Sequence, residues 1–481
     1  MERIADDNNF VLSIIESVSI QKSGQIINNM TKRLKFNEPY SRKGYWWLPS
    51  DRDKKIAGII SYKPNEFLEL ELFGALNSKG NPFLDVMQDF EMYPIIHGQT
   101  ELGEKISLLH CHRKSGHSNG GCDFALMRYG CEYLLEGEYL SDKDQASFYK
   151  ADFVIPELLP FRNPDLLGHI YTEGRTTLKA IEIKDNSRTI STVNLNDGSA
   201  VELMEWVPYY GTAISFDISQ ENILIIRNDE DHGIKDYVCK IEKLEQFFSL
   251  ASLKIAQIST LTLYDRKIER DMVMYKNGQP IHVLYVQDYP IEPAKDSVRY
   301  LFSYRDVKTI FQSMLKLWME MDSRANPIVE NFYESLGYGR KFTHLQFLQV
   351  MQAVEGYWWR YCDDYYVRKK KIASGKRKVK KTTLEDIVSE LINRYCSIDV
   401  IQQHNDKEWI KSIVDSRNYY SHTLKSHSKK NIKFGLELFE LMTYLRRLLI
   451  CILLHRIRVP MHDIRIIVSN CHSLLMRDDG I

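Results

Sequence analysis

Arg417 and His422 form the residue pair in this chain whose types and spacing best suit acid–base chemistry on a phosphate. They lie in the segment Asp415-Ser416-Arg417-Asn418-Tyr419-Tyr420-Ser421-His422. A histidine imidazole can take a proton from a ribose 2′-hydroxyl, because histidine ionises near neutral pH. An arginine guanidinium can hold a phosphate and stabilise the charge that develops on it. The pair therefore predicts RNA cleavage that requires no metal.

Arginine followed by histidine after four to six residues occurs five times in the chain, so the spacing alone carries little weight. The other pairs are Arg162/His169, Arg227/His232, Arg456/His462 and Arg465/His472. The first pair is interrupted by proline and glycine, which predicts a loop, and the second follows a strand-like segment and encloses three acids. The last two pairs flank Pro460 at the end of a helix. Arg417 and His422 lie in a helical pattern among basic residues, which favours this pair.

The charged residues are unevenly distributed along the chain. The formal net charge of all 481 residues is zero. Residues 301–481 carry 30 Lys and Arg against 20 Asp and Glu, and residues 1–300 carry 34 against 44. A basic C-terminal part is typical of a region that faces nucleic acid. With 44% apolar residues, the chain can bury a core and is expected to form two or three domains.

The cysteine pattern and the hydropathy both indicate a cytoplasmic protein with no membrane partner. The eight cysteines are scattered and include no Cys-x-x-Cys pair, which favours reduced thiols over a disulfide framework. The N-terminus is polar and shows no hydrophobic region of a signal peptide. The longest apolar run, Leu448 to Leu454, is far shorter than the roughly 18 residues of a membrane span.

The periodicity of apolar residues predicts an α+β protein of several domains. Residues 1–304 are expected to form a β-rich domain, because Leu68 to Leu72 and Ile181 to Lys184 alternate as half-buried strands do. This domain could contain two packed sheets, with short helices such as Lys243 to Phe248. Residues 305–342 are expected to be a helical connector, and residues 343–481 an all-α bundle.

Five helices are predicted after residue 305 from the 3.6-residue period. Their expected spans are Val307 to Met321, Phe347 to Tyr366, Thr382 to about Cys396, Lys407 to His422, and Phe434 to Arg458. Thr382 and Glu385 have the spacing of a capping box at the start of the third helix. The fifth helix carries an apolar stripe, formed by Leu436, Phe439, Leu441, Leu445, Leu448 and Ile452.

The basic tract at residues 368–381 has two interpretations. It holds nine basic residues in fourteen, and such tracts are often only solvated and flexible. We expect it to contact phosphates, because the tract lies in the basic half of the chain. The predicted RNA-binding residues are Lys369, Lys370, Lys371, Lys376, Arg377, Lys378 and Lys425. The preceding aromatic residues, Trp358, Trp359, Tyr361, Tyr365 and Tyr366, could stack on unpaired bases, although such spacing is more often that of a core.

His110, Cys111 and His112, with His117, Cys122 and Cys131, are the residues that most resemble a metal site. Zinc accepts these ligands, but the usual ligand spacings are absent. On a strand, His110 and His112 would share one side while Cys111 points to the other. A polar loop after a strand is the favoured interpretation, so we expect no metal and no cofactor.

The chain resembles the ApeA family of bacterial anti-phage proteins through a series of short motifs. The N-terminal motifs are Gly44-Tyr45-Trp46-Trp47-Leu48-Pro49, Ile56-Ala57-Gly58-Ile59-Ile60, Leu68-Glu69-Leu70-Glu71-Leu72-Phe73-Gly74, Ile95-Ile96-His97-Gly98-Gln99-Thr100 and Ile106-Ser107-Leu108-Leu109. In the C-terminal part, Gln352-Ala353-Val354-Glu355-Gly356-Tyr357 is similar to the first bundle helix of that family. The segment from Arg417 to His422 resembles the R-x4-6-H motif of HEPN ribonuclease domains.

The resemblance implies an endoribonuclease of abortive anti-phage defence, with a β-rich sensing domain joined to a HEPN effector. Positions i and i+5 of a helix are about 140° apart. The resemblance implies that two HEPN domains pair so that their motifs line one cleft. We therefore expect a homodimer or larger homo-oligomer with Arg417 and His422 from each subunit. His422 would be the base and could also be the acid, Arg417 would hold phosphate, and Asn418 would orient the backbone or contact phosphate.

The cleavage would use the 2′-hydroxyl of RNA and leave a cyclic phosphate, which excludes DNA as substrate. By analogy with other HEPN effectors, the expected substrate is transfer RNA or another structured RNA, and the expected trigger is derived from a phage. Glu355 could orient Arg417. One alternative is a non-catalytic protein, in which Arg417 and His422 lie at a helix end and pair with local acids such as Asp415. Its helical bundle would be a dimerisation module, and its N-terminal domain would sense a ligand or a phage protein. A further alternative is a metal-dependent nuclease that uses the His/Cys residues.

Overall fold

Strands of alternating burial form most of the N-terminal part of the computed structural model. The structure describes residues 33–87, 92–118, 124–140, 147–163, 166–171, 178–184, 187–207, 209–211, 216–265, 280–291, 300–337, 342–362, 382–395, 407–422 and 431–469. The strands within these ranges are β1 (Tyr40–Trp47), β2 (Ile56–Tyr62), β3 (Leu68–Phe73), β4 (Met92–Thr100), β5 (Lys105–His117), β6 (Leu126–Cys131), β7 (Tyr133–Glu136), β8 (Ser147–Val154), β9 (Leu167–Tyr171), β10 (Leu178–Ile183), β11 (Ser187–Asn194), β12 (Ser199–Trp206), β13 (Tyr209–Gly211), β14 (Phe216–Ile218), β15 (Glu221–Gly233), β16 (Thr260–Tyr264) and β17 (Pro280–Tyr285).

Thirteen of these strands form one antiparallel sheet, in the order β11-β12-β15-β8-β16-β17-β7-β5-β4-β1-β2-β3-β6. Because β5 pairs with both β4 and β6, the last six strands close into a ring. Trp46 is fully buried in this ring against Gly98, where a Cβ atom would lie 2.2 Å from the indole. The two shorter sheets pair β9 with β10 and β13 with β14. Among the described residues, one large sheet thus replaces the two packed sheets that the sequence suggested.

Three further predictions about the N-terminal part can be compared with the structure. Leu68–Phe73 is a strand with alternating burial, and Leu178–Ile183 is also a strand, as predicted. The turn at Asn196-Asp197-Gly198 joins β11 to β12, and Gly198 adopts the positive φ of +82° that such a turn requires. The short helix expected at Lys243 to Phe248 is part of a 19-residue helix, Ile234–Ser252, because aromatic residues bury one face of it against the sheet.

The helices number eleven within the described residues. They are α1 (Pro82–Val86), α2 (Leu158–Arg162), α3 (Ile234–Ser252), α4 (Tyr304–Val307), α5 (Phe311–Met319), α6 (Asn326–Gly337), α7 (His344–Tyr361), α8 (Leu384–Tyr395), α9 (Lys407–His422), α10 (Gly435–Arg456) and α11 (Met461–Ser469). The α+β class predicted from the sequence is confirmed.

Helix α10 is the centre of a C-terminal bundle. It packs against α7, α8 and α11, and its residues from Leu438 to Leu454 are almost all buried. A helix that is covered on several sides is apolar around most of its circumference instead of along one stripe. Leu436, which the predicted stripe included, lies in the first turn and is 58% exposed, so its assignment to the core is wrong.

Several predicted helix boundaries differ from the observed ones: α7 begins at His344 instead of Phe347, and α10 ends at Arg456 instead of Arg458. The span from Val307 to Met321 is divided into α4 and α5 by a turn that no glycine or proline marks. The capping interaction of α8 is one residue later than predicted: the amide of Thr383 donates to Asp386, and the amide of Asp386 donates to the Thr383 hydroxyl. Helix α9 has the predicted bounds. The end predicted for the second helix, Tyr366, lies outside the described residues.

Helix α6 contacts both the β-rich part and the bundle. Tyr333 donates to the carbonyl of Ala256 at 3.3 Å, and the ring of Tyr289 lies against Gly337. From the other side, Arg446 of α10 donates to the carbonyl of Ser335 at 2.7 Å. Residues 34–481 form one compact unit, and α6 is one of the elements that join its two parts.

Among the described residues, the longest apolar helical stretches are too short or too polar to traverse a lipid bilayer.

Glu245 of α3 generates a prediction about stability. Its carboxyl is buried and accepts the amide of Ile258 at 2.7 Å, and desolvation raises its pKa from 4.5 to about 8. The folded state therefore binds a proton that the unfolded state releases above pH 4.5. By linkage, the contribution of Glu245 to stability is greatest below that pH and declines as pH rises toward 8. We expect Glu245→Gln to remove this decline, as measured by thermal unfolding from pH 5 to 9.

Glu66→Gln is the matched control, because the side chain of Glu66 is 61% exposed. It should leave the pH dependence of the melting temperature as in the wild type. A wild-type protein whose stability rises between pH 5 and 8 relative to Glu245→Gln would contradict the assignment.

Candidate active site

Helix α9 carries Arg417 and His422 and is held at its C-terminal half by the segment that precedes α10. The hydroxyl of Ser416 is buried and accepts the amide of Lys433 at 2.9 Å. The hydroxyl of Tyr420 donates to the carbonyl of Lys433 at 3.3 Å. These two bonds fix the backbone on either side of Arg417, so the motif lies on a supported helix.

Arg417 is paired with a carboxylate from the neighbouring helix α7. Its Nη2 atom donates to Oε2 of Glu355 at 2.9 Å, and both side chains are about one quarter exposed. Its Nη1 atom lies 3.4 Å from the side-chain oxygen of Asn418. The contact with Glu355 that the sequence analysis considered is therefore present. Within the described ranges, Arg417 pairs with Glu355 and not with Asp415, the local acid that the non-catalytic alternative named.

His422 is the last residue of α9, and its side chain is exposed. In the part of the chain that the structure describes, its imidazole makes no hydrogen bond or ion pair. Arg417 and His422 are about 140° apart around the helix, so one subunit presents them on different sides. The imidazole is thus accessible to a ligand or to a second subunit.

The other arginine–histidine pairs are arranged differently. Arg162 lies on α2 instead of in the predicted loop, and it contacts the buried Glu205 at 2.7 Å. Arg227 and His232 lie on strand β15, and Arg456 and His462 lie on separate helices. His472 lies outside the described residues. Among the described pairs, Arg417 and His422 are the ones that share a helix.

The residues predicted to contact RNA lie outside the described residues, so the structure neither places nor excludes them. They are Lys369, Lys370, Lys371, Lys376, Arg377, Lys378 and Lys425. The aromatic residues before this tract are partly placed. Trp358 is fully buried, so it belongs to the core instead of a stacking surface, whereas Trp359 is 47% exposed. Tyr361 is half-buried, and Tyr365 and Tyr366 lie outside the described residues.

Four aromatic rings, two of them inside the motif, form a cluster that the sequence analysis did not predict. This aromatic cluster consists of His344, Tyr419, Tyr420 and Phe434. His344 stacks on Tyr420 with ring centroids 5.0 Å apart, and Phe434 contacts Tyr419 and Tyr420 at 5.5 Å and 6.2 Å. The adjacent tyrosines inside the motif were a signal that could have been used, but Phe434 and His344 are distant in sequence.

The His/Cys residues at β5 do not converge on a point within the described residues, where no group of three metal-ligating side chains is present. His110 is exposed and hydrogen-bonded to Glu132, and Cys111 is buried beside Cys131. Burial raises the pKa of the Cys111 thiol. Cys122 lies outside the described residues.

Comparison with protein families gives two matches along the chain. Residues 41–318 match ApeA N-terminal domain 1, and residues 348–463 match the Apea-like HEPN domain. The chain belongs to the ApeA family. The resemblance derived from the motifs is confirmed, and the bundle that carries Arg417 and His422 is the HEPN domain. No curated protein and no solved structure matches the chain.

An ApeA N-terminal domain followed by an ApeA-like HEPN domain is the organisation of an ApeA-type defence protein. The matched HEPN range includes Glu355, Arg417 and His422, so the ion pair and the exposed histidine lie inside that domain.

The partial exposure of Glu355 and Arg417 predicts a weak ion pair. Solvent screening limits such a pair to about 0–1 kcal/mol. We expect a double-mutant cycle of Glu355→Gln and Arg417→Gln, measured by urea denaturation, to give a coupling energy of about 1 kcal/mol or less.

The pair between Arg227 and Glu202 on the sheet is a matched control, because its N–O distance is 2.8 Å and the exposed fractions are 44% and 19%. The two cycles should give similar values. A coupling energy several times larger for Arg417 would show that its guanidinium is committed to the fold and unavailable to a ligand.

Proposed function

We propose that this ApeA-family chain is a metal-independent endoribonuclease of anti-phage defence, acting by abortive infection. The observation that carries the proposal is the position of Arg417 and His422 on one supported helix of a HEPN domain, with His422 exposed. An exposed imidazole and a guanidinium, brought to one phosphate, supply a base and a phosphate ligand, which are the groups that cleavage by a 2′-hydroxyl needs.

His422 is the base in this proposal. It takes the proton of the 2′-hydroxyl, the 2′-oxygen attacks the adjacent phosphorus, and the bond to the 5′-oxygen breaks. The products are a 2′,3′-cyclic phosphate and a 5′-hydroxyl, because the protonated His422 gives that proton to the leaving 5′-oxygen. No metal or cofactor takes part in these steps. DNA lacks the attacking hydroxyl and is not a substrate.

Arg417 holds the scissile phosphate. A guanidinium has five N–H donors, and the hydrogen bonds to Glu355 and Asn418 occupy two of them. The weak pairing with Glu355 orients the guanidinium and leaves other donors to face the phosphate. Asn418 contacts the phosphate or orients Arg417.

The complete site is proposed to form between two subunits. Arg417 and His422 lie on different sides of α9, and pairing two copies brings an arginine and a histidine from each to one cleft. Half-exposed apolar side chains near the motif, Leu345 and Leu436, fit an interface at this end of the bundle. The expected assembly is a homodimer or larger homo-oligomer.

The remaining roles are assigned by position and by analogy with the family. The tract with Lys369, Lys370, Lys371, Lys376, Arg377 and Lys378, together with Lys425, is proposed to bind the RNA backbone. Transfer RNA or another structured RNA is the proposed substrate. The N-terminal domain is proposed to sense a phage-derived trigger and to act on the HEPN domain through α6.

The proposed site predicts that two single substitutions abolish cleavage. Total RNA is incubated with purified wild-type, Arg417→Ala or His422→Ala protein in a chelator, and the RNA ends are sequenced. The wild type should produce cyclic phosphate ends, and each variant should lose at least about 100-fold of the rate, the lower limit typical of removing an acid–base group. RNA ends are also sequenced from cells that express each protein and have been challenged with phage, because the infection supplies the proposed trigger.

Folding and assembly are the controls. Both variants should keep the melting temperature and the mass of the wild type. If His422→Ala still cuts RNA in the chelator, His422 is not the base. Cleavage that stops in the chelator would favour a metal-dependent nuclease, for which elemental analysis of the protein is decisive.

The alternative function is a non-catalytic HEPN dimerisation or interaction module, with an N-terminal domain that senses a ligand or a phage protein. The exposed apolar side chains at Leu345 and Leu436 favour such a surface. It predicts tight dimers and RNA that stays intact after phage challenge, where the ribonuclease predicts cut RNA.

A further inference from the structure

The aromatic cluster lies next to both residues of the proposed site. On a helix, residues three apart are neighbours, so Tyr419 adjoins His422 and Tyr420 adjoins Arg417. Phe434 contacts both tyrosine rings, at 5.5 Å and 6.2 Å. By helix geometry the two tyrosines lie on the wider arc between His422 and Arg417, so the ring of Phe434 lies on that arc of α9.

Phe434 is fixed in place although it is exposed. Its side chain is 50% exposed. The preceding residue, Lys433, is bonded through its amide to Ser416 and through its carbonyl to Tyr420. The ring thus presents an apolar surface to solvent without a loss of conformational freedom on binding, which is the property of a preorganised binding site.

We propose that Phe434, supported by Tyr419 and Tyr420, is a platform on which an unpaired RNA base stacks beside the cleaved phosphate. This inference rests on the proposed ribonuclease function. A base adjoining that phosphate is covalently tethered to it and must lie within one nucleotide of Arg417 and His422. Aromatic rings beside cationic side chains are the usual means of binding single-stranded RNA, because every base has a π-face.

The platform would select an unpaired linkage over a duplex. A base inside a helix is stacked on its neighbours and cannot reach a ring on the protein. Linkages in loops and ends would be cleaved in preference, and purines, with their larger π-faces, would bind more tightly than pyrimidines. Phe434 would then determine specificity without touching the reacting atoms.

The test measures the binding of short RNA probes to the full-length chain. All proteins carry His422→Ala so that RNA is not consumed, and the probes are a labelled oligoadenylate and an abasic ribose-phosphate oligomer of the same length. Phe434→Leu keeps the apolar bulk and removes the π-face. We expect it to weaken oligoadenylate binding about 5- to 150-fold and to leave abasic binding unchanged.

Two further variants serve as controls. Phe434→Tyr should restore oligoadenylate binding, and Phe67→Ala, which removes a ring that is 64% exposed in the N-terminal domain, should have no effect. The mass of each variant in solution is measured by ultracentrifugation. Phe434→Leu should keep the wild-type mass.

Several outcomes would overturn the platform. If Phe434→Leu weakens the binding of both probes equally, Phe434 contacts the RNA without stacking on a base. If the binding of oligoadenylate is unchanged, Phe434 does not contribute to RNA binding. A variant that dissociates into smaller species would place Phe434 in a subunit interface. Wild-type cleavage with no dependence on Phe434 would refute the platform alone, whereas base binding that depends on Phe434 in a protein that never cuts RNA would refute the ribonuclease function alone.

Discussion

The hydrogen-bonded ion pair between Glu355 and Arg417 is the interaction on which the proposed site depends. It joins α7 to α9 and determines the side of the bundle on which the guanidinium lies. A fully buried pair would commit the arginine to the fold, and an unpaired arginine would sample many rotamers. Because Arg417 and Glu355 are each about one quarter exposed, their pairing orients the guanidinium and still leaves it available to a phosphate.

The rest of the fold supports this arrangement from two directions. Lys433 bonds to Ser416 and Tyr420 and keeps α9 against the start of α10. Helix α6 carries contacts from the β-rich domain to the bundle, through Tyr333 on one side and the carbonyl of Ser335 on the other. These contacts form a packed connection between the two domains, which the proposed control of the HEPN domain by the N-terminal domain requires.

The sequence was sufficient to predict local features but not long-range ones. Alternation identified strands such as Leu68–Phe73, and helical periodicity gave both ends of α9. The closing of six strands into a ring depends on β5 pairing with both β4 and β6, which no local pattern encodes. Likewise, the acid that pairs with Arg417 and the ring of Phe434 that contacts Tyr419 are brought to the motif by packing of separate helices.

The central claim is that the imidazole of His422 acts on the 2′-hydroxyl of the RNA itself. The most direct measurement uses an RNA whose cleaved linkage has been mapped, with a single deoxyribose placed on the 5′ side of that linkage. The claim predicts that the wild-type protein no longer cuts this linkage and still cuts the unmodified RNA to a cyclic phosphate, in a chelator. Cleavage of the deoxy linkage at an undiminished rate would contradict it.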